Sequence, residues 1–135
     1  KPGVDDLMLG ATDIMPTLLG MMNLGDKLPE TVKGKDYSQG ILTGKYKNVK
    51  KPVSQFFYQQ KEKGVRTDRY SYLVTKDGNY QLFDNLKDPY QMHALKMEEI
   101  SVKQAKLLKK ELGNWLKVSE DSWGKEQKFP DRITY

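Results

Sequence analysis

A turn between two strand-forming runs constrains this chain more than any other feature. Tyr70-Ser71-Tyr72-Leu73-Val74-Thr75 and Tyr80-Gln81-Leu82-Phe83 are rich in aromatic and β-branched residues, and Lys76-Asp77-Gly78-Asn79 lies between them. Such side chains suit the pleated, half-buried surface of a sheet. Asp-Gly supports the positive φ angles that a tight hairpin needs. Residues 69–83 therefore predict an antiparallel hairpin. Val53, Phe56, Phe57 and Tyr58 predict an earlier strand, and 65–75 reads as one continuous strand.

The next regular signal is helical. Ser101 and Gln104 have capping-box spacing, with Ile100 and Ala105 placed as a weak staple. Ile100, Leu107, Leu108, Leu112, Trp115 and Leu116 then fall on one stripe, and Lys103, Lys106, Lys109 and Lys110 on the opposite face. A helix of this kind covers one face of a sheet. The expected fold is α+β: a small antiparallel, hairpin-based sheet of up to four strands, packed by one long C-terminal amphipathic helix.

The first third of the chain reads differently. Thr12-Asp13 offers an N-cap oxygen, and Pro16 is expected in the first helical turn, where a missing N–H is harmless. This helix, 13–22, should stop near Asn23 and Gly25. Its apolar residues Ile14, Met15, Leu18, Leu19, Met21 and Met22 surround most of the cylinder, which predicts packing on a second copy or back onto the sheet. Residues 25–52 hold closely spaced Gly and Pro and predict a connector, with one helical turn around Tyr37–Leu42. The expected organisation is 1–45 as a short helix and connector, 46–118 as the α+β subdomain, and 119–135 as a tail with Trp123 and Phe129 as docking points.

Composition sets outer limits. The 135 residues suit one domain with a modest core, or one small domain plus a fragment of another, and 37% hydrophobic with 30% charged residues suits a globular chain. No apolar run approaches the roughly 20 residues that cross a bilayer, so no membrane partner is expected. The chain has no Cys, which leaves no thiolate metal site or disulfide within it. Its net charge of +5 is compatible with a polyanionic partner without requiring one. The start, Lys1-Pro2-Gly3-Val4-Asp5-Asp6, has neither an initiator Met nor a signal-peptide core, which predicts a chain cut or processed from something longer.

Four segments, in order, resemble the last part of a sulfatase. Asp13-Ile14-Met15-Pro16-Thr17-Leu18-Leu19 is similar to the Asp-x-x-Pro-Thr-Leu helix that ends that family's large α/β domain, so the resemblance makes 1–45 the end of the catalytic α/β domain and its connector. Gly34-Lys35-Asp36-Tyr37 with Leu42 is similar to a Gly-x-Ser-Leu connection, with Asp-Tyr in place of the usual Ser-Leu. Val65-Arg66-Thr67-Asp68-Arg69-Tyr70-Ser71-Tyr72 resembles Val-Arg-Thr-x-x-Tyr-Lys-Tyr, with Ser71 in place of Lys. Leu82-Phe83-Asp84-Asn85-Leu86-Lys87-Asp88-Pro89 resembles Leu-Tyr-Asp-Leu-x-x-Asp-Pro; the usual Glu and Asn-Leu that follow stand here as Gln91 and Ala94-Leu95.

The resemblance implies a parent in the alkaline-phosphatase-like superfamily that hydrolyses sulfuric esters, with a formylglycine residue and a calcium ion. Both would be supplied upstream of Lys1, so this chain alone should be inactive. Its partners would be the catalytic N-terminal domain of the parent and an aryl or carbohydrate sulfate. Self-association through 13–22 is a further expectation. The resemblance favours a periplasmic or secreted location. Two alternatives stay open: a stand-alone binding module for sulfated or anionic polymers, and part of a related phosphate or phosphonate ester hydrolase.

Candidate chemistry within the chain is sparse. No residue is assigned a catalytic or metal-binding role. His93 is the lone histidine and reads as a surface or structural residue. Asp84 and Asp88 read as acceptors for turn N–H groups. Lys45, Lys47, Lys50, Lys51, Lys61, Lys63, Arg66 and Arg69 outnumber Glu62 and Asp68 in their span and form a candidate cationic rim. Arg66 is the chosen sulfate contact, because guanidinium pairs bidentately with tetrahedral anions. Tyr58 and Gln59 are the chosen sugar or aryl contacts. The tyrosines at 70, 72 and 80 read as sheet residues, and no nucleic-acid partner is expected.

Overall fold

The computed structural model describes residues 4–46, 51–59 and 61–119. The order is α1 (Ala11–Met21), a 3-10 turn (Gly25–Lys27), α2 (Ser38–Thr43), β1 (Gln55–Tyr58), β2 (Glu62–Arg66), β3 (Tyr70–Thr75), β4 (Tyr80–Asp84), a second 3-10 turn (Met97–Glu99) and α3 (Val102–Val118). The chain divides into two compact units between Gln55 and Phe56. Trp123, Phe129, Lys47 and Lys50 lie outside the described residues. Among those described, no helix is long and apolar enough to cross a membrane.

In the first unit, α1 begins earlier than expected. Its N-cap is Gly10, and Asp13 at the third helical position reaches back to accept the Gly10 N–H at 3.1 Å. Pro16 is consequently the sixth residue, inside the helix and not in its first turn. Proline has no N–H, so the Thr12 carbonyl loses its helical partner. Asn23, at φ 57°, turns the chain out of the helix as expected.

Pro16 and Thr17 are buried, whereas Ile14, Met15, Leu18 and Met22 are exposed and Leu19 is half-buried. The helix packs through its polar motif face. That face holds the hydrogen-bond partners of the connector, and this decides its orientation.

The second unit is the α+β layer the sequence predicts: a four-stranded antiparallel sheet in the order β1-β2-β3-β4, with α3 as its long helix. One expected strand is two. Residues 65–75 break at Thr67-Asp68-Arg69, and β2 pairs β3 with Val65 opposite Tyr72 and Arg66 opposite Ser71. The break is held by Thr67, whose hydroxyl accepts the Tyr70 N–H at 2.9 Å while its own N–H donates to the Tyr70 carbonyl at 2.8 Å. No Gly or Pro marks this turn; a threonine hydroxyl does the work instead. The expected hairpin between β3 and β4 is present, with Tyr72 opposite Leu82. Gly78 supplies its positive φ of 83°.

One face of the sheet and one stripe of α3 make the core. Val65, Tyr70, Tyr72, Val74 and Leu82 pack with Ile100, Ala105, Leu108, Leu112 and Leu116. Burying each of the larger aliphatic side chains stabilises by about 1.5–3 kcal/mol. The stripe differs from expectation at one place: Leu107 is at its exposed edge and Ala105 is buried. Trp115 is half-buried and stacks on Phe56 at 6.0 Å. The capping box is as expected, with the Ser101 hydroxyl accepting the Gln104 N–H at 3.3 Å and Gln104 Oε1 accepting the Ser101 N–H at 3.3 Å.

Candidate functional site

The motif residues of the first unit form a hydrogen-bonded clasp. Asp13 and Thr17 are one helical turn apart and share a face. Asp13 Oδ1 accepts the Lys35 N–H at 2.9 Å. Thr17 Oγ1 donates to the Lys35 carbonyl at 3.3 Å and accepts the Tyr37 N–H at 3.1 Å. Gly34 is required by closeness: a Cβ there would overlap the Thr12 carbonyl oxygen. The Asp-x-x-Pro-Thr pattern and the glycine that follows it 17 positions later (17 to 34) are thus one device, joining α1 to the connector. The Tyr37 side chain is buried beside them, which raises its phenol pKa.

A polar cleft of about 360 Å³ lies between the end of α1 and the start of α2, lined by Gly20, Asn23, Gly25, Asp26, Asp36, Ser38 and Gln39. No cation lines it, so it does not suit a sulfate group. Elsewhere in this unit the Tyr46 hydroxyl donates to Asp5, and Lys51 stands 3.8 Å from Asp5 and 4.3 Å from the Tyr46 ring centroid. Burial first, then the Asp5 contact, pushes the Tyr46 phenol up to about 12.

In the second unit the chosen site residues are spread out. Arg66 ends β2, exposed, and its guanidinium has no hydrogen bond or ion pair among the described residues. Tyr58 ends β1 and is 67% exposed; Gln59 follows it, its N–H donating to the Glu62 carbonyl at 2.9 Å and closing the β1–β2 turn. Tyr58 is beside Lys63, whose Nζ is 4.8 Å from its ring centroid. Lys63 and Arg66 are three residues apart on one strand, on the order of 10 Å. Tyr58 and Gln59 are therefore gathered together, and Arg66 stands apart from them.

The cationic rim is partly committed elsewhere. Lys51 pairs with Asp5, Lys63 is buried, and Arg69 donates from Nε and Nη2 to Asp84 Oδ2 at 3.1 and 2.9 Å. The Arg69 guanidinium holds the Asp84 carboxyl below the usual carboxylate range, helped by the Leu86 and Lys87 N–H groups that Asp84 Oδ1 accepts. Asp88 accepts the His93 N–H at 2.7 Å, which lowers its pKa likewise. Both aspartates therefore serve the turn. His93 is an exposed residue 3.9 Å from Asp88.

Sequence reasoning missed a buried cluster behind the β4 turn. Ser71 Oγ donates to Asn85 Oδ1 at 2.9 Å, and Gln91 Nε2 donates to both Ser71 Oγ and Asn85 Oδ1 at 3.0 Å. The available signal was that these positions depart from the resembled pattern. Among the described residues no three or more His, Cys, Asp or Glu side chains gather where a metal ion could sit. With no Cys in the chain, nothing here fits a formylglycine derived from cysteine either.

The second unit is thus a four-stranded antiparallel sheet covered by one long helix, and the first a helix clasped to the connector that follows it. No family model matches the chain. It is 33% identical to an endo-4-O-sulfatase of Bacteroides thetaiotaomicron, over 100% of this chain and 30% of that protein. It is 30% identical to an ulvan-active sulfatase of Formosa agariphila, over 70% of this chain and 21% of that protein. A solved Bacteroides thetaiotaomicron structure from work on the metabolism of multiple glycosaminoglycans superposes with a TM-score of 0.81 and 32% identity, covering 99% of this chain and 32% of that one. A second, at 15% identity and a TM-score of 0.65 over 85% of this chain and 25% of that one, shares the fold. The chain is a sulfatase homologue that spans less than a third of the length of these relatives.

Proposed function

We propose that this chain is the C-terminal portion of a sulfuric ester hydrolase, where it completes the fold and borders the substrate cleft. The observation that carries the reading is the endo-4-O-sulfatase relative, which aligns with all of this chain but only 30% of its own length. The ester-cleaving groups, including formylglycine and calcium, are assigned to the remainder of the parent. By itself the chain turns over no sulfate ester.

Within this reading Arg66 contacts the sulfate, and Tyr58 and Gln59 contact the sugar or aryl part. Support for Arg66 is its exposure and its unengaged guanidinium, which leave a bidentate donor pair available. Support for Tyr58 is an exposed ring flanked by Lys63. The exposed apolar residues Ile14, Met15, Leu18 and Met22 of α1 are assigned to contact with the catalytic part. Open to water, they would each forgo part of about 1.5–3 kcal/mol.

A graft tests this. Residues 4–119 replace the aligned stretch of the endo-4-O-sulfatase, and the chimera is assayed on that enzyme's own substrate. An active chimera whose KM rises about tenfold with Arg66→Ala, a loss of about 1.4 kcal/mol, supports the reading. A folded, active chimera indifferent to Arg66→Ala, Tyr58→Ala and Gln59→Ala removes the site assignment.

A further inference from the structure

Helix α3 carries five lysines and a single acid, Glu111. We propose that Lys103, Lys106, Lys110 and Lys117 form a row that binds a linear sulfated polysaccharide along the outer side of α3. The choice of polymer rests on the sulfuric ester hydrolase reading; the cationic row does not.

Helical spacing sets these four on one side. They follow one another at three, four and seven positions, so they line up over about 21 Å of helix. Leu108, Leu112 and Leu116 turn the other side of α3 into the core. All four lysines are exposed, and their ammonium groups have no hydrogen bond or ion pair among the described residues. Glu111 lies off the row and is engaged within the chain. Like charges three and four residues apart repel, so the row weakens the helix that carries it. An anionic chain lying along the row removes that repulsion.

Gly113 is a second, independent observation. It is inside α3, one turn after Lys110 and one turn before Lys117. Glycine weakens a helix interior relative to alanine. No packing requires it, because a Cβ there would meet nothing within 4 Å. It leaves bare backbone in the middle of the lysines. A polymer can lie close at that point, within reach of the flanking ammonium groups, and a side chain at 113 would hold it off.

What the row lacks narrows the occupant. It has lysines and no arginine, so it offers point charges and no planar fork. It has no ring for a nucleobase to stack on, since Trp115 is stacked on Phe56. The row is also separate from Arg66. Val65 is in the core with α3, and side chains alternate along a strand, so Arg66 faces the other side of the sheet. The row therefore holds the polymer apart from the proposed sulfate contact.

The test uses the full 135-residue chain and a fluorescent heparin oligosaccharide, with affinity followed by anisotropy across a salt series. Replacing all four row lysines by Gln should weaken binding at least about tenfold and reduce the slope of log affinity against log salt by about three. Replacing the exposed Lys27, Lys33, Lys35 and Lys61 by Gln removes the same charge and should change affinity less than about twofold. Gly113→Ala should bind several-fold more weakly yet melt no lower than the parent, a combination that lost structure does not give. Equal losses in the two four-lysine variants, an unaffected row variant, or Gly113→Ala binding like the parent overturns the proposal. Duplex DNA of matching charge binding more tightly than heparin at the same salt also overturns it. If the four-lysine row variant does not fold, Lys106→Gln with Lys110→Gln decides: it removes a repelling pair, so it should fold and lose about half of that slope. No turnover enters these readouts. A chimera indifferent to Arg66→Ala removes the sulfate-site assignment and leaves the row standing, and loss of the row leaves the Arg66 result untouched.

Discussion

The Tyr37 N–H donates to the Thr17 hydroxyl at 3.1 Å across 20 residues of sequence, and the same hydroxyl reaches the Lys35 carbonyl. One threonine therefore satisfies two backbone groups of the connector, one buried and one part-buried. Thr17→Val keeps the shape and removes both bonds. The first unit should lose about 1–3 kcal/mol, the cost of leaving buried polar groups unpaired. Urea unfolding read through a probe in residues 4–46 checks this.

Gly34 should tolerate nothing larger. Its missing Cβ would overlap the Thr12 carbonyl oxygen, which is backbone and cannot swing away. Gly34→Ala is expected to cost about 1–3 kcal/mol through a forced backbone shift. A variant that melts with the parent would contradict this.

Acid should weaken the β4 turn. The Asp84 carboxyl is held below its ordinary value, chiefly by Arg69. A depressed folded pKa means the stabilisation is complete above the unfolded value, about 3.9, and is lost as pH falls through the lower folded value. Stability should be level from neutral pH to about pH 4 and then decline. Asp84→Asn should reduce stability at pH 7 and flatten that decline, read by urea midpoints across the series.

Alkali should act through Tyr72. Burial, then the neighbouring Tyr80, pushes its phenol up to about 12. A raised folded pKa gives stability that is complete below about 10 and is lost as pH rises toward 12. Tyr72→Phe should therefore keep the fold at neutral pH and move the alkaline unfolding midpoint upward. An unchanged midpoint would assign the transition to another group.

The second unit was legible because its signals are local. Asp77-Gly78 marks a turn, Ser101 and Gln104 mark a helix start, and Leu108, Leu112 and Leu116 repeat at helical spacing; each is where expected. What failed was decided by partners distant in sequence. Asp13 serves its own helix and also ties down Lys35, while Pro16 lies inside the helix because the helix begins at Gly10. The Thr67 turn carries no glycine or proline, so strand-forming residues on both sides ran together. Arg66, Tyr58 and Gln59 stand out by residue chemistry alone; strand direction, which separates Arg66 from the other two, appears only with the β2 register.

The central claim is that sulfate-ester cleavage belongs to groups outside these 135 residues. The direct measurement is aryl sulfate turnover by the isolated chain, with and without added calcium. Product release should equal the protein-free blank under both conditions. Turnover above that blank, proportional to protein and abolished by denaturation, would contradict it.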